Sequence, residues 1–337
     1  MRRTPALIAT ALLAATALAA CGTTDPAADA DETAGGETDA AADPAAGPIT
    51  VTDANGEEVT LEAPAEDVVA LEWNQAEMVT TLGVDLVGLS DVEGYTSWVG
   101  NAEPLRTEPR DVGTRREPSI EAIAELEPDL IIGSPTSIPE DAMEQISRIA
   151  PVVLLQSADG ADPLGTMRSS LETVASLLGK DAEAEQALAD FDATIAENTA
   201  AIEAAGLAGT PVVLTSPYAE GSTLSIRMHG PRSSVQAVAL EMGLASAWED
   251  PGDDGYGLSY LDLEGLTQLP DDTQFLYWGN DGEDDPVETS MAGNPLWENL
   301  PFVQSGQVHE AAVGIWAYGG PSSMAAWSDD LVRVLGA

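Results

Sequence analysis

Residues 119–132 read SIEAIAELEPDLII, a helical segment followed by a Pro-Asp turn and an apolar strand. Residues 261–277, LDLEGLTQLPDDTQFLY, repeat this order. In both stretches a glutamate near the start of the helix, Glu121 or Glu264, precedes a leucine by five residues. The second copy is one residue shorter before its proline, which leaves the register around Glu264 open. The repeat predicts two versions of one α/β lobe, and a cleft between two facing lobes is a favoured ligand site.

Strands and helices alternate on both sides of the first stretch. After a predicted hairpin at 49–53 and 59–61, the first half has strands at 68–71, 86–89, 129–132 and 152–155 and helices at 119–126 and 140–148. The second half has strands at 212–215, at 274–278 and around Val308, and a helix at 231–242. This alternation indicates α/β lobes with mostly parallel sheets, each covered on both faces.

Two long helical segments separate the halves. The first runs over 163–178, and the second over 182–205 with Asp181 as its predicted N-cap. A helix of the second length extends about 36 Å, the size of a small lobe. Length alone leaves two alternatives open, a rigid strut between two lobes or an ordinary surface helix.

The amino terminus has the features of a secretory signal. Arg2 and Arg3 precede an apolar stretch that ends in Leu18-Ala19-Ala20-Cys21. This ending resembles the bacterial lipobox, which implies cleavage before Cys21 and attachment of lipid to it; a coincidental cysteine after an ordinary signal is the alternative. We predict a signal peptide at 1–20 and a disordered acidic tether at 21–48, since that segment lacks residues able to form a core. Cys21 is the only cysteine, so no intramolecular disulfide can form.

The charge balance excludes some partners. The chain has 58 acidic and 12 basic residues, a formal net charge of −46. Such acidity argues against nucleic acid and against electrostatic docking on anionic lipid. For most of the charge we favour a role in solubility or salt adaptation.

No pattern in the sequence indicates an enzyme. There are only two histidines, His229 and His309, and neither lies in a motif that would make it a catalytic base. HExxH, CxxC, GxSxG and phosphate-loop motifs are absent from the sequence.

The arginines instead suggest a binding site for oxyanions. Arg106, Arg110, Arg115 and Arg116 fall within eleven residues on a predicted loop. The second half has Arg227 and Arg232 at the corresponding stage. A guanidinium presents a fork of donors that suits carboxylates and other oxyanions. Pairing of each arginine with a neighbouring carboxylate is the alternative, foremost for Arg106 and Arg110.

The aromatic residues favour a large ligand that is partly apolar. Tryptophan outnumbers phenylalanine by seven to three, and several aromatic residues fall at predicted strand ends or loops. Flat, amphipathic rings in loops suit such a ligand. For each ring taken singly, core packing remains an equal alternative. The loop aromatics are Trp73, Trp98, Trp278, Trp316, Tyr95, Tyr218, Tyr256 and Tyr318.

Several separated motifs resemble, in order, the class III solute-binding proteins of ABC importers, the ferric-siderophore, haem and cobalamin group. They are DVGTRREPSIE at 111–121, LEPDLIIG at 126–133, IAPVV at 149–153, LLGK at 177–180, NPLW at 294–297 and GQV at 306–308. The resemblance covers nearly everything from residue 49 onwards. It implies two α/β lobes, 49–178 and 207–337, joined by one long interdomain helix within 179–206.

The resemblance also implies roles for individual residues. Arg115 corresponds to the arginine that binds the iron-chelating oxygens of a siderophore, and Arg227 to a second ligand arginine. Glu121 and Glu264 correspond to two glutamates that pair with arginines of the permease; stabilisation of a helix N-terminus is their alternative role. The remaining predicted ligand contacts are Trp73, Trp278, Trp316, Tyr318, Arg116, Met228 and His229.

We therefore predict a monomeric lipoprotein, outside the cytoplasmic membrane, that captures a ferric siderophore for an ABC permease of the FecCD type with its ATPase. No cofactor is predicted, and no metal ligand from the protein, because the iron would arrive inside its chelator. Haem or cobalamin is the alternative ligand, with His229 as the candidate haem ligand. A surface hydrolase is a more distant alternative, which would require a serine hydroxyl bonded to His229 or His309. A purely structural or adhesive role would leave the arginines and the repeated glutamates unexplained.

Overall fold

The parallel sheet expected from the alternating pattern is present in the computed structural model, which describes residues 47–220, 223–279 and 284–337. The predicted signal peptide, Cys21 and nearly all of the tether 21–48 lie outside the described residues. Residues Ala45–Ala337 form one compact unit that includes both predicted lobes.

Fifteen strands are assigned among the described residues. In chain order they are β1 (Ile49–Thr52), β2 (Glu58–Leu61), β3 (Val68–Ala70), β4 (Leu86–Leu89), β5 (Arg110–Asp111), β6 (Gly113–Thr114), β7 (Glu117–Pro118), β8 (Leu130–Gly133), β9 (Val152–Leu154), β10 (Pro211–Glu220), β11 (Thr223–His229), β12 (Ala245–Ser246), β13 (Leu258–Leu261), β14 (Gln274–Tyr277) and β15 (Val308–Glu310).

Eleven α-helices and one 3-10 helix accompany them in the same described ranges. The helices are α1 (Trp73–Thr81), α2 (Val92–Trp98), α3 (Ile120–Ala124), α4 (Glu140–Ile146), α5 (Pro163–Leu178), α6 (Asp181–Ala204), α7 (Ser234–Glu241), α8 (Pro286–Ser290), α9 (Pro295–Glu298), α10 (Pro301–Gln304) and α11 (Pro321–Leu335), with the 3-10 helix at Glu264–Gln268.

The first sheet is parallel, in the order β5-β4-β3-β8-β9. Its central strands β3 and β8 are completely buried, because their sequences VVA and LIIG place apolar residues on both faces. Val68 packs in one core with Leu171 of α5, whereas Val69 packs in another with Ile123 of α3. The prediction of a parallel sheet covered on both faces is thus confirmed here.

The second sheet is mixed, in the order β13-β11-β10-β14-β15 with β12 beside β10. Strands β12, β10, β14 and β15 are mutually parallel where they pair. However, β11 returns antiparallel from β10, and β13 runs antiparallel to β11. The prediction of a mostly parallel sheet missed this long hairpin, because the sequence indicated only its first part, 212–215, as a strand.

The long helix predicted at 182–205 is present as α6, at Asp181–Ala204. Asp181 is its first helical residue, so the prediction of an Asp181 N-cap was wrong. The cap position belongs to Lys180, and the Asp181 carboxylate instead accepts a hydrogen bond from the Ser176 hydroxyl at 3.1 Å. Phe191 and Ile195 bury one side of α6, which packs against α5 and the C-terminal helix α11.

Candidate ligand cleft

The first arginine of the site lies at the tip of a tight hairpin. Strands β6 and β7 leave only Arg115 and Arg116 between them, just beyond the carboxyl end of β5. Ligands of open parallel sheets bind at that edge. Gly113 takes a φ of 101°, and a Cβ there would lie 2.7 Å from the carbonyl oxygen of Glu117. Glycine is therefore required for the turn that presents both arginines.

Arg115 is held between an acid and two indole rings. Its Nη1 donates a hydrogen bond to Oε1 of Glu72 at 2.7 Å. Its guanidinium carbon lies 3.8 Å from the ring centre of Trp73 and 5.1 Å from that of Trp316. A cation over aromatic faces at these distances is attracted by the ring quadrupole. The side chain remains 30% exposed, so the guanidinium is still accessible to a ligand.

Arg227 comes from the antiparallel part of the second sheet. It lies on β11, directly opposite Ser216 on β10 and Tyr260 on β13. Its guanidinium carbon lies 5.8 Å from the ring of Tyr218 and 5.9 Å from that of Tyr260. The Nε atom is buried and has no hydrogen-bond partner within the described ranges. No carboxylate in those ranges pairs with this guanidinium, so its positive charge is not neutralised by a side-chain acid there.

Both arginines line the same two adjoining cavities. The first, here called the arginine cavity, has a volume of about 310 Å³, and the second, the tryptophan cavity, of about 360 Å³. Arg115, Arg227 and Trp316 line both, so the two cavities form one cleft between elements of the first and second sheets. The arginine cavity is also lined by Glu72, Arg116, Thr136, Ser157, Tyr256, Leu258, Tyr260 and Tyr318. The tryptophan cavity is also lined by Trp73, Trp98, Ser216, Pro217, Tyr218, Trp278, Gly279, Asp284 and Pro286.

A cluster of rings forms the apolar wall of the cleft. Trp316 lies 4.9 Å from Trp73, 5.3 Å from Trp278 and 5.3 Å from Tyr318, measured between ring centres. The contacts with Trp73 and Tyr318 are edge-to-face, an arrangement that aromatic pairs prefer. Trp316 therefore joins rings from α1 and from the end of β14 into one surface.

The loop that carries Trp316 and Tyr318 is tied to α1. Asn74 on α1 donates its side-chain amide to the carbonyl oxygen of Tyr318 at 2.5 Å. Buried Glu77 accepts the backbone N–H and the hydroxyl of Ser323, at 2.8 and 2.7 Å. Burial raises the pKa of Glu77 to about 7, against the hydrogen bonds from Ser323 and Gly320, which lower it. These bonds set the position of the ring cluster relative to α1.

The family of the chain follows from residues 68–312, which match the model of the family described as "Periplasmic binding protein". The chain belongs to the periplasmic binding protein family. The family resemblance deduced from the motifs at 111–133 is thereby confirmed, and the family is one of solute-binding proteins.

The chain is similar to proteins that are named for the iron complexes that they bind. The chain is 31% identical to the iron(3+)-hydroxamate-binding protein FhuD of Escherichia coli, over 75% of this chain and 81% of that protein. It is 28% identical to the Fe(3+)-citrate-binding protein YfmC of Bacillus subtilis, over 76% of each chain.

A solved structure has a similar fold. It is the Fe3+-Desferal-bound siderophore-binding protein FhuD from Vibrio cholerae, with a TM-score of 0.70 at 31% identity. The match covers 80% of this chain and 97% of the other. The prediction of a two-lobed α/β binding-protein fold is confirmed by this likeness.

Seven of the predicted ligand residues lie on the cleft of this binding protein. They are Arg115, Arg116, Arg227, Trp73, Trp278, Trp316 and Tyr318. Their contact with a ligand remains a prediction.

The structure does not bring Met228 to the cleft. Side chains alternate across a strand, so Arg227 faces the cleft while its neighbours on β11 face the opposite side of the sheet. Met228 is fully buried there, in a core with Val213 and Phe275. Its assignment as a ligand contact is therefore corrected to core packing.

His229 lies beneath the ring cluster and lines neither cavity. Its ring stacks on Tyr318 at 5.7 Å between centres, and the side chain is fully buried. Burial, followed by the charge of Arg227, lowers the pKa of His229 to about 3. The imidazole is closed off from any haem in the cleft, so its assignment as a ligand contact is corrected.

A hydrolase would need a serine hydroxyl bonded to a histidine, and the geometry of the one such contact at the cleft among the described residues does not suit catalysis. Ser216 Oγ lies 3.5 Å from Nε2 of His229, at the limit of hydrogen bonding. The Nδ1 atom has no hydrogen-bond partner in the described part of the chain, so no acid orients the ring. A base with a pKa near 3 would not activate a hydroxyl at neutral pH. This arrangement lacks the parts of a catalytic triad.

Several cleft residues were not predicted as ligand contacts. Tyr260 was missed because β13 was not recognised, although its place opposite Arg227 follows once the strands pair. Tyr218, Tyr256 and Trp98 were noted only as loop aromatics. Glu72 was missed entirely, since one more glutamate carries little information in so acidic a chain.

The two glutamates predicted to meet the permease are both exposed. Glu121 lies in the first turn of α3, and Glu264 begins the 3-10 helix. Neither forms an ion pair within the described ranges, which leaves both carboxylates accessible. Their role in docking remains a prediction.

Two further observations on the described ranges concern metal binding and the membrane. No group of three or more His, Cys, Asp or Glu side chains there could hold a metal ion. Over the same ranges, no helix has the length and apolarity to cross a bilayer.

Proposed function

We propose that this protein is the substrate-binding lipoprotein of an ABC importer and that it captures a ferric siderophore in the cleft between its two sheets. The observation that carries the proposal is that Arg115 and Arg227 line one cleft walled by four indole rings. No bond is made or broken in this function. The iron is cargo inside its chelator, and no resident cofactor is required.

The chemistry of the cleft suits a ferric siderophore. The oxygens that chelate Fe3+ carry negative charge on the outside of the complex, where guanidinium groups can donate charge-assisted hydrogen bonds. The organic part of the chelator is large and partly apolar, which suits the faces of Trp73, Trp278 and Trp316. Relatives whose names specify iron-hydroxamate or iron-citrate binding support the same class of ligand.

A separate depression elsewhere on the surface fits such a ligand less well. It has a volume of about 370 Å³ and lies between α6 and the start of α11. Its charged lining residues are Glu183 and Asp190, and no arginine lines it. An anionic iron complex would be repelled there.

The proposal includes an extracytoplasmic location, with lipid on Cys21 as the anchor. Relatives named as lipoproteins support this part. A monomer would then deliver its ligand to a permease of the FecCD type with its ATPase, and Glu121 and Glu264 would dock on that permease.

The test is a fluorescence titration of the purified protein with ferrichrome, with ferric citrate, and with the iron-free form of each chelator. We expect saturable quenching by a ferric complex and much weaker quenching without iron. Arg115→Ala should lower the affinity by about 2 kcal/mol, the scale of one hydrogen bond to a charged group.

The matched control is Arg148→Ala, because Arg148 is an exposed arginine that pairs with Glu144 on α4, outside the cleft. It should bind like the wild-type protein. Equal affinity for ferric complexes in the wild type and in Arg115→Ala would remove Arg115 from the site. Absence of binding to every ferric complex would overturn the proposed function.

A further inference from the structure

A carboxylate lies among the arginines of the arginine cavity, whereas Asp284 lines the tryptophan cavity. Glu72 precedes α1, and its side chain is only 12% exposed. Its Oε1 atom accepts the backbone N–H of Trp73 at 3.0 Å and the Nη1 donor of Arg115 at 2.7 Å. Two bonds thus hold a negative charge at the wall of a cavity whose ligand was expected to be anionic.

This carboxylate changes the charge that a ligand meets. Among the described residues, the arginine cavity is lined by three guanidinium groups, those of Arg115, Arg116 and Arg227, and by one carboxylate, that of Glu72. Since Glu72 and Arg115 form an ion pair, their charges largely cancel. Arg227 and exposed Arg116 have no carboxylate partner within the described ranges. The cavity is therefore less positive than its arginines alone suggest.

The ion pair between Glu72 and Arg115 interacts differently with uncharged and with anionic ferric complexes. Arg115 keeps donors that are not engaged with Glu72, because a guanidinium has five N–H groups. An uncharged complex can accept hydrogen bonds from these donors and leaves the ion pair intact. A complex with several negative charges gains from Arg115 but is repelled by Glu72, and exclusion of water strengthens both effects.

We propose that Glu72 is a specificity-determining residue that makes the cleft prefer uncharged ferric complexes over multiply anionic ones. This inference rests on the proposed function. Glu72 repels multiply anionic complexes, and specificity often requires such repulsion in addition to attractive contacts. Three hydroxamates cancel the charge of Fe3+, whereas three catecholates leave three negative charges on the complex. Ferrichrome and ferric enterobactin therefore serve as an uncharged and an anionic probe.

The test compares Glu72→Gln with the wild-type protein in calorimetric titrations with both probes. Glutamine keeps an acceptor for Trp73 and Arg115 but removes the charge. We expect Glu72→Gln to bind ferrichrome within about threefold of the wild type and to bind the tris-catecholate complex at least about tenfold more tightly.

Glu125→Gln is the matched control. Glu125 pairs with Arg110 at 2.5 Å outside the cleft, so this variant changes the net charge of the protein equally. It should leave the ratio of the two affinities unchanged. Glu72→Ala is a second variant that also removes the charge, and thermal unfolding of each variant establishes that it folds. If only one of the two Glu72 variants folds, its affinity ratio decides the test.

Three outcomes would overturn the inference while leaving the proposed function intact. One is a wild-type protein that prefers the tris-catecholate complex. Another is an equal loss of affinity for both probes in the Glu72 variants, which would indicate that Glu72 only positions Arg115. The third is a change of ratio in Glu125→Gln as large as in Glu72→Gln. If the wild type binds neither these probes nor ferric citrate, the proposed function fails and this inference fails with it.

Discussion

Glu77 on α1 accepts two hydrogen bonds from Ser323 on α11, a residue 246 positions further along the chain. The contact joins the helix that begins at Trp73 to the loop that carries Trp316 and Tyr318. The hydroxyl of Ser323 also accepts the backbone N–H of Trp316 at 3.3 Å. One buried carboxyl group therefore supports rings from two distant parts of the chain.

This carboxyl group should make stability depend on pH. The pKa of Glu77 is raised from 4.5 to about 7, mainly by burial and in small part by the charge of Glu103. Between these values the unfolded protein binds fewer protons than the folded one, so the free energy of unfolding falls as the pH rises. The free energy of unfolding falls by about 1.4 kcal/mol per pH unit and by about 3 kcal/mol in total. The fall is complete above the pKa of Glu77 in the folded protein.

Glu77→Gln should abolish this loss. The measurement is urea unfolding of both proteins between pH 4.5 and pH 8, and the difference between the two curves isolates the group. Glu185→Gln, an exposed position on α6, is the control and should follow the wild-type curve. Parallel curves for wild type and Glu77→Gln would show that the carboxyl does not titrate in this range.

Arg227→Met should separate binding from stability. The Nε donor of Arg227 is buried without a partner within the described ranges, and removing such a group can raise the free energy of unfolding by about 1 kcal/mol. Affinity for ferrichrome should fall about tenfold or more, because the guanidinium that faces the ligand is lost. Denaturant unfolding and calorimetry measure the two effects. A destabilised Arg227→Met, with Arg148→Met unaffected, would contradict the first expectation.

Trp316→Phe should reduce the fluorescence response to ligand. Trp316 is partly exposed and lines both cavities, so its emission should be quenched strongly when a ferric complex binds. Phenylalanine keeps an aromatic face and should change the affinity by only about threefold. Trp297→Phe is the control, since Trp297 is buried with Phe275 and Phe302, outside the cleft. If both variants lost the same amount of quenching, the signal would not come from the cleft.

Charge reversal of Glu121 and Glu264 should block transport without changing binding. Both side chains are exposed, and neither lines the cleft. The double variant Glu121→Lys/Glu264→Lys should bind ferrichrome like the wild type. In cells whose own copy is replaced by the variant, uptake of radioactive iron should fall at least about tenfold, if two charge pairs with the permease are lost. Glu185→Lys, at an exposed position on α6, is the control. Normal uptake by the double variant, or a loss of uptake no larger than that of Glu185→Lys, would contradict the docking prediction.

His229 should not ligate haem. Its imidazole is fully buried under Tyr318, and its pKa is lowered to about 3, mainly by burial. When haem is added, the wild-type protein and His229→Gln should therefore give the same Soret band. A Soret shift that depends on His229 would support the haem alternative.

His229 should also make stability depend on pH. The unfolded histidine gains a proton below about pH 6.5 while the folded one stays neutral, so the free energy of unfolding falls as the pH falls.

Local patterns were sufficient for much of the fold. The stretch 119–132 predicted α3 and β8 to within a few residues, since a helical pattern, a turn proline and an apolar run are signals within one short segment. The same reasoning located α6 to within one residue at each end. The hairpin of β10 and β11 was missed although β11 alternates clearly, with apolar Leu224, Ile226 and Met228 between polar residues, so a usable strand signal was overlooked.

The site was only partly foreseeable because several of its contacts join distant parts of the chain. The sequence placed Arg115 on a loop and indicated that its chemistry suits oxyanions, because residue type and local context decide both properties. Its pairing with Glu72, 43 residues earlier, depends on the side-by-side order of β5, β4 and β3 in the sheet. The burial of His229 likewise depends on Tyr318 arriving from another part of the chain.

Periodicity, turn residues and residue chemistry thus specified most of the elements and their order and indicated the type of ligand, because each is set by neighbours along the chain. The folded arrangement alone established which charges meet in the cleft. Such contacts join residues from different strands and helices, and their energies depend on distance and burial, which neighbouring residues in the chain do not encode.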